Sequence, residues 1–261
     1  MRSFLIVVAA VAVLGYAGLC WFLHAQQREM IYFGGFTAVD RAATDFALKR
    51  PDATLRGWVV NPDGHSPILY FGGNAERIEL NREDFARMFP GRSVYLLAYR
   101  GYGASDGTPS EAALVGDALA LFDYVQTRHP DEPVSAIGRS LGSGVASQLA
   151  ARRPLAKLAL ITPFDSLAGA AKAHYPIFPI DWLLEDRYES AGALRAFERP
   201  LLIVHGGRDE VVPEANTLRL VAALPGTPQV VRIAAADHND ISFYPDFAPA
   251  LSAFINSSLQ P

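Results

Sequence analysis

The pentapeptide Gly138-Arg139-Ser140-Leu141-Gly142 stands between an apolar run, PVSAI, and a small-residue stretch, LGSGVASQLAA. A strand that turns into a helix through Gly-x-Ser-x-Gly forces the serine backbone into a sparsely populated conformation and lifts its hydroxyl clear of the sheet. A serine at a helix start is also a good N-cap. The surrounding sequence has to separate the two roles.

Two later features do so. Asp209 follows the apolar run LLIVH, within HGGRD, and His238 follows VVRIA, within AAADHND. A serine hydroxyl attacking a carbonyl carbon needs a base to take its proton. Imidazole does this near neutral pH, and a carboxylate fixes the imidazole tautomer and stabilises its charged form. The order Ser140, Asp209, His238 is that of alpha/beta-hydrolases and differs from the orders in chymotrypsin-type and subtilisin-type proteases. Asp165, after KLALITPF, is the rival for the acid, and His205 and His174 are rivals for the base. His238 is favoured by position and Asp209 by its place in HGGRD. Without chemistry, His238 would be a loop histidine held by Asp237 or Asp240.

Stabilising the oxyanion takes two backbone N–H groups. Leu141, directly after the nucleophile, supplies one, and the loop YFGGNAE supplies the other, with Asn74 the expected donor and Gly72 and Gly73 allowing close approach. Asn74 could equally cap a helix starting at Ala75, and the two roles are compatible.

From about residue 45 the chain alternates short apolar runs with amphipathic stretches. DFALKR and LRGWVV form a hairpin around Pro51 and Asp52. PILYF, VYLLAY, VSAI, KLALIT, LLIVH and VVRIA have the continuous apolar character of strands buried on both faces. Between them lie helical patterns, one capped by Ser110 with Leu114, Ala118, Leu121 and Val125 in a stripe, another with Phe247, Leu251, Phe254 and Ile255. The alternation predicts a mostly parallel sheet with helices on both faces. With 261 residues, half of them hydrophobic, and no linker, residues 28–261 are expected to form one domain. A net charge of −4 without a basic block excludes a nucleic-acid partner, and one cysteine, Cys20, excludes an internal disulfide. No Cys/His spacing suits a metal.

Residues 4–23, FLIVVAAVAVLGYAGLCWFL, carry no charge over the roughly 20 residues that a bilayer-crossing helix needs. Residues 1–27 are therefore expected to form a single-pass anchor. Arg2 and the amino terminus place the N-terminal end in the cytoplasm and the domain outside, in the periplasm if the source is bacterial. A cleaved signal peptide is the alternative, with Gly15 and Ala17 as small residues near a cleavage site, but the run continues to Leu23 and favours an anchor. Cys20 is read as a buried thiol in a lipid-facing helix rather than as a palmitoylation site.

Together with YRGYGASDGTPSE at 99–111 and GRSLGSGVA at 138–146, these residues resemble the alpha/beta-hydrolase superfamily, and within it a small membrane-anchored branch with serine-aminopeptidase-like and depalmitoylase-like members. The resemblance covers about residue 28 to the end. It implies an alpha/beta-hydrolase fold with an eight-stranded sheet, the triad Ser140, Asp209 and His238, and no cofactor. Phe71 stands where relatives have histidine before the oxyanion glycines, which changes the hydrogen bonding beside the donor but keeps the backbone N–H. The cap, about residues 165–199, is minimal. In it Tyr175, Phe178 and Trp182 belong to an apolar patch that either packs on the sheet or binds an acyl group.

The expected activity is a membrane-anchored serine hydrolase that cleaves an ester, thioester or amide through an acyl-enzyme, with a small-molecule or lipid-like acyl substrate. A serine peptidase of the aminopeptidase kind and a catalytically silent binding protein are the alternatives.

Overall fold

In the computed structural model, which describes residues 1–258, each apolar run forms a strand. The strands are β1 (Phe46–Lys49), β2 (Thr54–Val60), β3 (His65–Phe71), β4 (Arg92–Leu97), β5 (Ser135–Arg139), β6 (Lys157–Ile161), β7 (Leu201–Gly206) and β8 (Gln229–Ile233). They make one eight-stranded sheet in the order β1-β2-β4-β3-β5-β6-β7-β8. β1 and β2 form the antiparallel hairpin and β2 runs antiparallel to β4; from β4 to β8 all pairing is parallel. Parallel neighbours need crossovers, and the amphipathic stretches supply them as helices.

The helices are α1 (Arg2–Ile31), α2 (Arg82–Met88), α3 (Glu111–Arg128), α4 (Leu141–Ala150), α5 (Leu167–His174), α6 (Ile180–Leu183), α7 (Ser190–Ala193), α8 (Glu214–Ala223) and α9 (Phe247–Asn256). Ser110 caps α3 by accepting from the Ala113 N–H at 3.2 Å, and the stripe Leu114, Ala118, Leu121 and Val125 is buried. The corresponding stripe of α9 is buried too. Strands β5, β6 and β7 are covered on both faces, as their unbroken apolar runs require. β8 departs from that expectation: Val230 is exposed and the strand buries only Ile233, because it is the edge of the sheet.

α1 holds the long apolar run of residues 4–23. Its apolar run is largely exposed and long enough to cross a membrane. The helix does not stop near residue 27 but continues to Ile31, because the amphipathic turn from His24 to Arg28 docks on the cap. Gln27 donates to the Leu183 carbonyl at 3.1 Å and accepts from the Glu185 N–H at 2.7 Å. Arg28 pairs with Glu185 and Asp186 at 3.0 and 3.4 Å. Tyr32, just past the helix, is buried with its hydroxyl on Asp186 at 2.8 Å and on Tyr188 at 3.0 Å. Burial raises the Tyr32 hydroxyl far above its ordinary value, so it remains a hydrogen-bond donor.

Candidate active site

Strand β5 ends at Arg139, α4 begins at Leu141, and Ser140 alone makes the turn. Its backbone is at φ 50° and ψ −116°, a conformation that costs about 1–3 kcal/mol for a residue other than glycine. The flanking glycines make the turn possible. A Cβ on Gly138 would lie 2.3 Å from the Gly142 carbonyl oxygen, and one on Gly142 would lie 2.0 Å from that of Phe71. α4 therefore starts in contact with the end of β3, and the serine is lifted off the sheet edge. Ser140 is the residue before the helix but caps nothing with its side chain.

The loops after β7 and β8 bring the other two groups to this point. Ser140 Oγ donates to His238 Nε2 at 2.8 Å, and His238 Nδ1 donates to Asp209 Oδ2 at 2.8 Å. A carboxylate accepts, so Nδ1 carries the hydrogen and Nε2 is left to accept from the serine. Asp209 is held in turn: its Oδ1 accepts from the Val211 and Val212 N–H groups at 2.9 and 2.7 Å. Both Asp209 and His238 are buried.

The rival residues are engaged elsewhere. Asp165 binds Asn216 at 3.0 Å and Arg219 at 2.9 Å. His205 is buried inside β7 with Glu214 3.5 Å away, and burial lowers its pKa. His174 contacts the Val211 carbonyl at 2.9 Å.

The loop after β3 lies beside Ser140. Asn74 does not cap a helix; its Oδ1 accepts from the Phe33 N–H at 2.9 Å and from the Tyr102 hydroxyl at 2.7 Å. Among the described residues neither the Asn74 nor the Leu141 backbone N–H has an acceptor, and both residues line the cavity with Ser140. YRGYG is what fastens this loop. Tyr99 donates to the Gly72 carbonyl at 2.9 Å, Tyr102 holds Asn74, and Arg100 makes a bidentate pair with buried Asp117 on α3 at 2.7 and 3.0 Å. Glu76, which sequence reasoning missed, completes the fastening. Its carboxylate accepts from the Gly73 N–H at 2.5 Å, Tyr70 at 2.6 Å and Asn81 at 2.7 Å, beneath the Arg139 guanidinium at 3.7 Å. The GGNAE spacing was the available signal: a carboxylate three residues after a turn glycine can reach back to that glycine's N–H.

A cavity of about 450 Å³ opens over Ser140. Of the three cap residues expected to bind substrate, only Tyr175 lines it. Phe178 instead stacks on Tyr16 of α1, with ring centroids 5.9 Å apart, and Trp182 faces outward with 88% of its surface exposed. The single turn of α6 accounts for this, since it points Ile180 and Leu183 into the cavity and leaves Trp182 on the other side. The wall that the sequence did not reveal is α1, which contributes Leu23, Gln27, Met30 and Ile31.

Known proteins that this chain resembles include hydrolases. The family model described as serine aminopeptidase, S33, matches residues 68–179. The uncharacterized protein Rv2307c of Mycobacterium tuberculosis is 36% identical over 246 residues, covering 89% of this chain and 88% of that protein. The mouse lysophosphatidylserine lipase ABHD12 is 38% identical over 173 residues, 57% of this chain; the match spans 43% of the lipase's length. Among solved structures, the Pyrococcus furiosus esterase Pf2001 superimposes with a TM-score of 0.67 at 15% identity, covering 83% of this chain and 92% of the esterase. Est1E from Butyrivibrio proteoclasticus gives 0.65 at 14% identity, covering 82% and 98%. Sheet order, strand-turn-helix geometry and sequence kinship agree, and the chain belongs to the alpha/beta-hydrolase superfamily.

Proposed function

We propose that this hydrolase is a membrane-anchored serine enzyme that cleaves an apolar acyl ester, thioester or amide through an acyl-enzyme. The observation that carries the reading is the hydrogen-bonded relay from Asp209 through His238 to Ser140, ending beneath a cavity lined mostly by apolar side chains. In the first half-reaction Ser140 Oγ bonds to the substrate carbonyl carbon while its proton passes to His238 Nε2. The Leu141 and Asn74 N–H groups receive the charge that develops on the carbonyl oxygen. Collapse breaks the bond to the leaving group, which takes the proton from His238. Water then repeats the sequence on the acyl-serine, and the free acid departs.

Apolar acyl groups suit the Leu23, Phe164, Leu167 and Leu183 lining. The name of the mammalian relative, a lysophosphatidylserine lipase, supports an acyl ester of a single-chain lipid. An aminopeptidase would have to hold a substrate ammonium, and the one carboxylate lining the cavity, Glu210, is exposed. α1 is taken as the anchor, with Arg2 on the cytoplasmic side and the hydrolase domain on the other.

A fluorophosphonate probe tests the nucleophile, because its phosphorus bonds to an activated serine oxygen with loss of fluoride. Wild type is expected to label and Ser140→Ala to stay unlabelled. An unlabelled, folded wild type would favour a silent binding protein. Turnover of acyl esters against aminoacyl amides then separates the lipase-like from the peptidase-like reading.

A further inference from the structure

The part of the apolar cap segment that faces away from the cavity lies against α1. Tyr16 donates from its hydroxyl to the Ile177 carbonyl at 2.7 Å, and its ring stacks on Phe178 with an interplanar angle of 1°. Two to three turns further along α1, His24 and Gln27 hold the Leu183 carbonyl at 2.8 and 3.1 Å. The cap thus follows α1 downward. Residue 16 lies seven positions inside the end of the apolar run at Leu23, about 10 Å along a helix. A helix that spans a bilayer with its apolar run therefore carries Ile177 below the headgroups yet within one leaflet, whose hydrocarbon is about 15 Å deep.

The segment is built for that surrounding. YPIFPI, residues 175–180, has no charge, and Ile177 is 72% exposed although it is purely apolar. Two of its residues, Pro176 and Pro179, have no N–H to satisfy. The Ile177 carbonyl is taken by Tyr16, and the Tyr175, Phe178 and Ile180 N–H groups bond within the cap. Three of the segment's four backbone N–H groups are thus paired, the state that hydrocarbon favours, and that of Ile177 has no acceptor among the described residues. Exposed Trp182 sits at the level of His24, where an indole favours the headgroup boundary, and the adjacent charge of Asp181 is paired with Lys172 and Arg187.

We infer that residues 175–182 are a second membrane-inserted element, entering the same leaflet as α1, and that the acyl cavity between them opens to the bilayer. The inference rests on the reading of α1 as an anchor. The cavity follows one face of α1 through Leu23, Gln27 and Ile31, about 12 Å at helical rise, and ends at Asn74 and Ser140. A lipid drawn up this path presents its carbonyl to Ser140 while its tail trails back past Leu23 into the leaflet. Its substrate is thus an acyl lipid taken laterally from the membrane.

Depth-dependent quenching tests this on the full chain in phosphatidylcholine vesicles containing doxyl-labelled lipid. In a Cys20→Ser background, NBD is attached at Ile177→Cys or, as a reference within α1, at Val13→Cys. Both labels are expected to be quenched and blue-shifted. A quenched Val13 label with a water-like Ile177 label overturns the inference and leaves the anchor standing. Two water-like labels overturn the anchor, and the inference with it. Ile177→Asp, at an exposed site outside the cavity, is expected to slow hydrolysis of p-nitrophenyl palmitate in the vesicles by about tenfold or more, the scale of placing a carboxylate in hydrocarbon. Its rate on p-nitrophenyl butyrate in detergent should be unchanged. Equal loss on both esters, or no loss on either, contradicts lateral entry.

Discussion

Glu76 is the residue whose replacement most directly tests how the loop after β3, with the proposed oxyanion donor, is held. Its side chain is 11% exposed, and its two oxygens accept from three donors on three different segments. Tyr70 is buried, and burial followed by the charge of Glu76 pushes its hydroxyl well above the ordinary tyrosine range, so it donates throughout the working pH range. Glu76→Ala would strand buried donors at Tyr70 and Gly73 at about 1–3 kcal/mol each, a large part of a domain's net stability. Glu76→Gln is the sharper perturbation. Its amide oxygen can keep Tyr70 and Asn81, but its NH₂ then faces the Gly73 N–H, donor against donor. The cost is one charge-assisted bond, about 1.5–3 kcal/mol. Gly73 precedes Asn74, so the loop relaxes where the proposed donor is aimed, and losing one donor completely costs about 10²–10³ in kcat. Partial misalignment is therefore expected to lower kcat about 10–100-fold with little change in KM, the pattern of a contact made chiefly in the transition state. Steady-state hydrolysis of p-nitrophenyl butyrate measures this, with thermal unfolding as the control for folding. A folded Glu76→Gln enzyme with wild-type kcat would refute the role given to the carboxylate.

Asp209→Asn leaves the geometry but presents an NH₂ or a neutral oxygen to His238; kcat is expected to fall by about 10⁴, while Asp165→Asn, which loosens only Arg219 and Asn216, should stay near wild type in the same assay. Tyr32→Phe removes one of the partners of buried Asp186 and should lower the unfolding free energy by about 1–3 kcal/mol in chemical denaturation of the full chain in detergent. His205 has a pKa lowered by burial, against the opposing pull of Glu214, so between that value and 6.5 the unfolded chain binds the extra proton. Its contribution to stability is therefore lost as pH falls below about 6.5, and His205→Gln should flatten the decline of Tm from pH 7 to pH 5 relative to wild type.

The strands were legible because each is a short apolar run closed by turn residues, and parallel pairing leaves such runs no exposed face to mark with polar alternation. VVRIA misleads by the same rule: its composition is that of a covered strand, but position in the sheet order decides cover, and β8 is last. Ser140, Asp209 and His238 could be chosen because each follows the carboxyl end of a strand, so chain order stood in for geometry. Glu76 could not be chosen that way. Its partners Tyr70, Asn81 and Arg139 come together only once β3 pairs with β5 and the loop folds over the elbow.

The cap shows a deeper limit. Composition marked 175–182 as apolar, and an apolar segment beside an active site is ordinarily assigned to substrate. The structure divides it by direction instead: Tyr175, Ile180 and Leu183 face the cavity, while Ile177 and Trp182 face away beside α1. That division depends on a helix more than 150 residues earlier in the chain, whose polar turn from His24 to Arg28 fixes the cap through Leu183, Glu185 and Asp186. α1 and the cap are therefore one mechanical unit. A perturbation of α1 near His24 reaches Ser140 through the shared wall of the cavity without touching any residue of the relay.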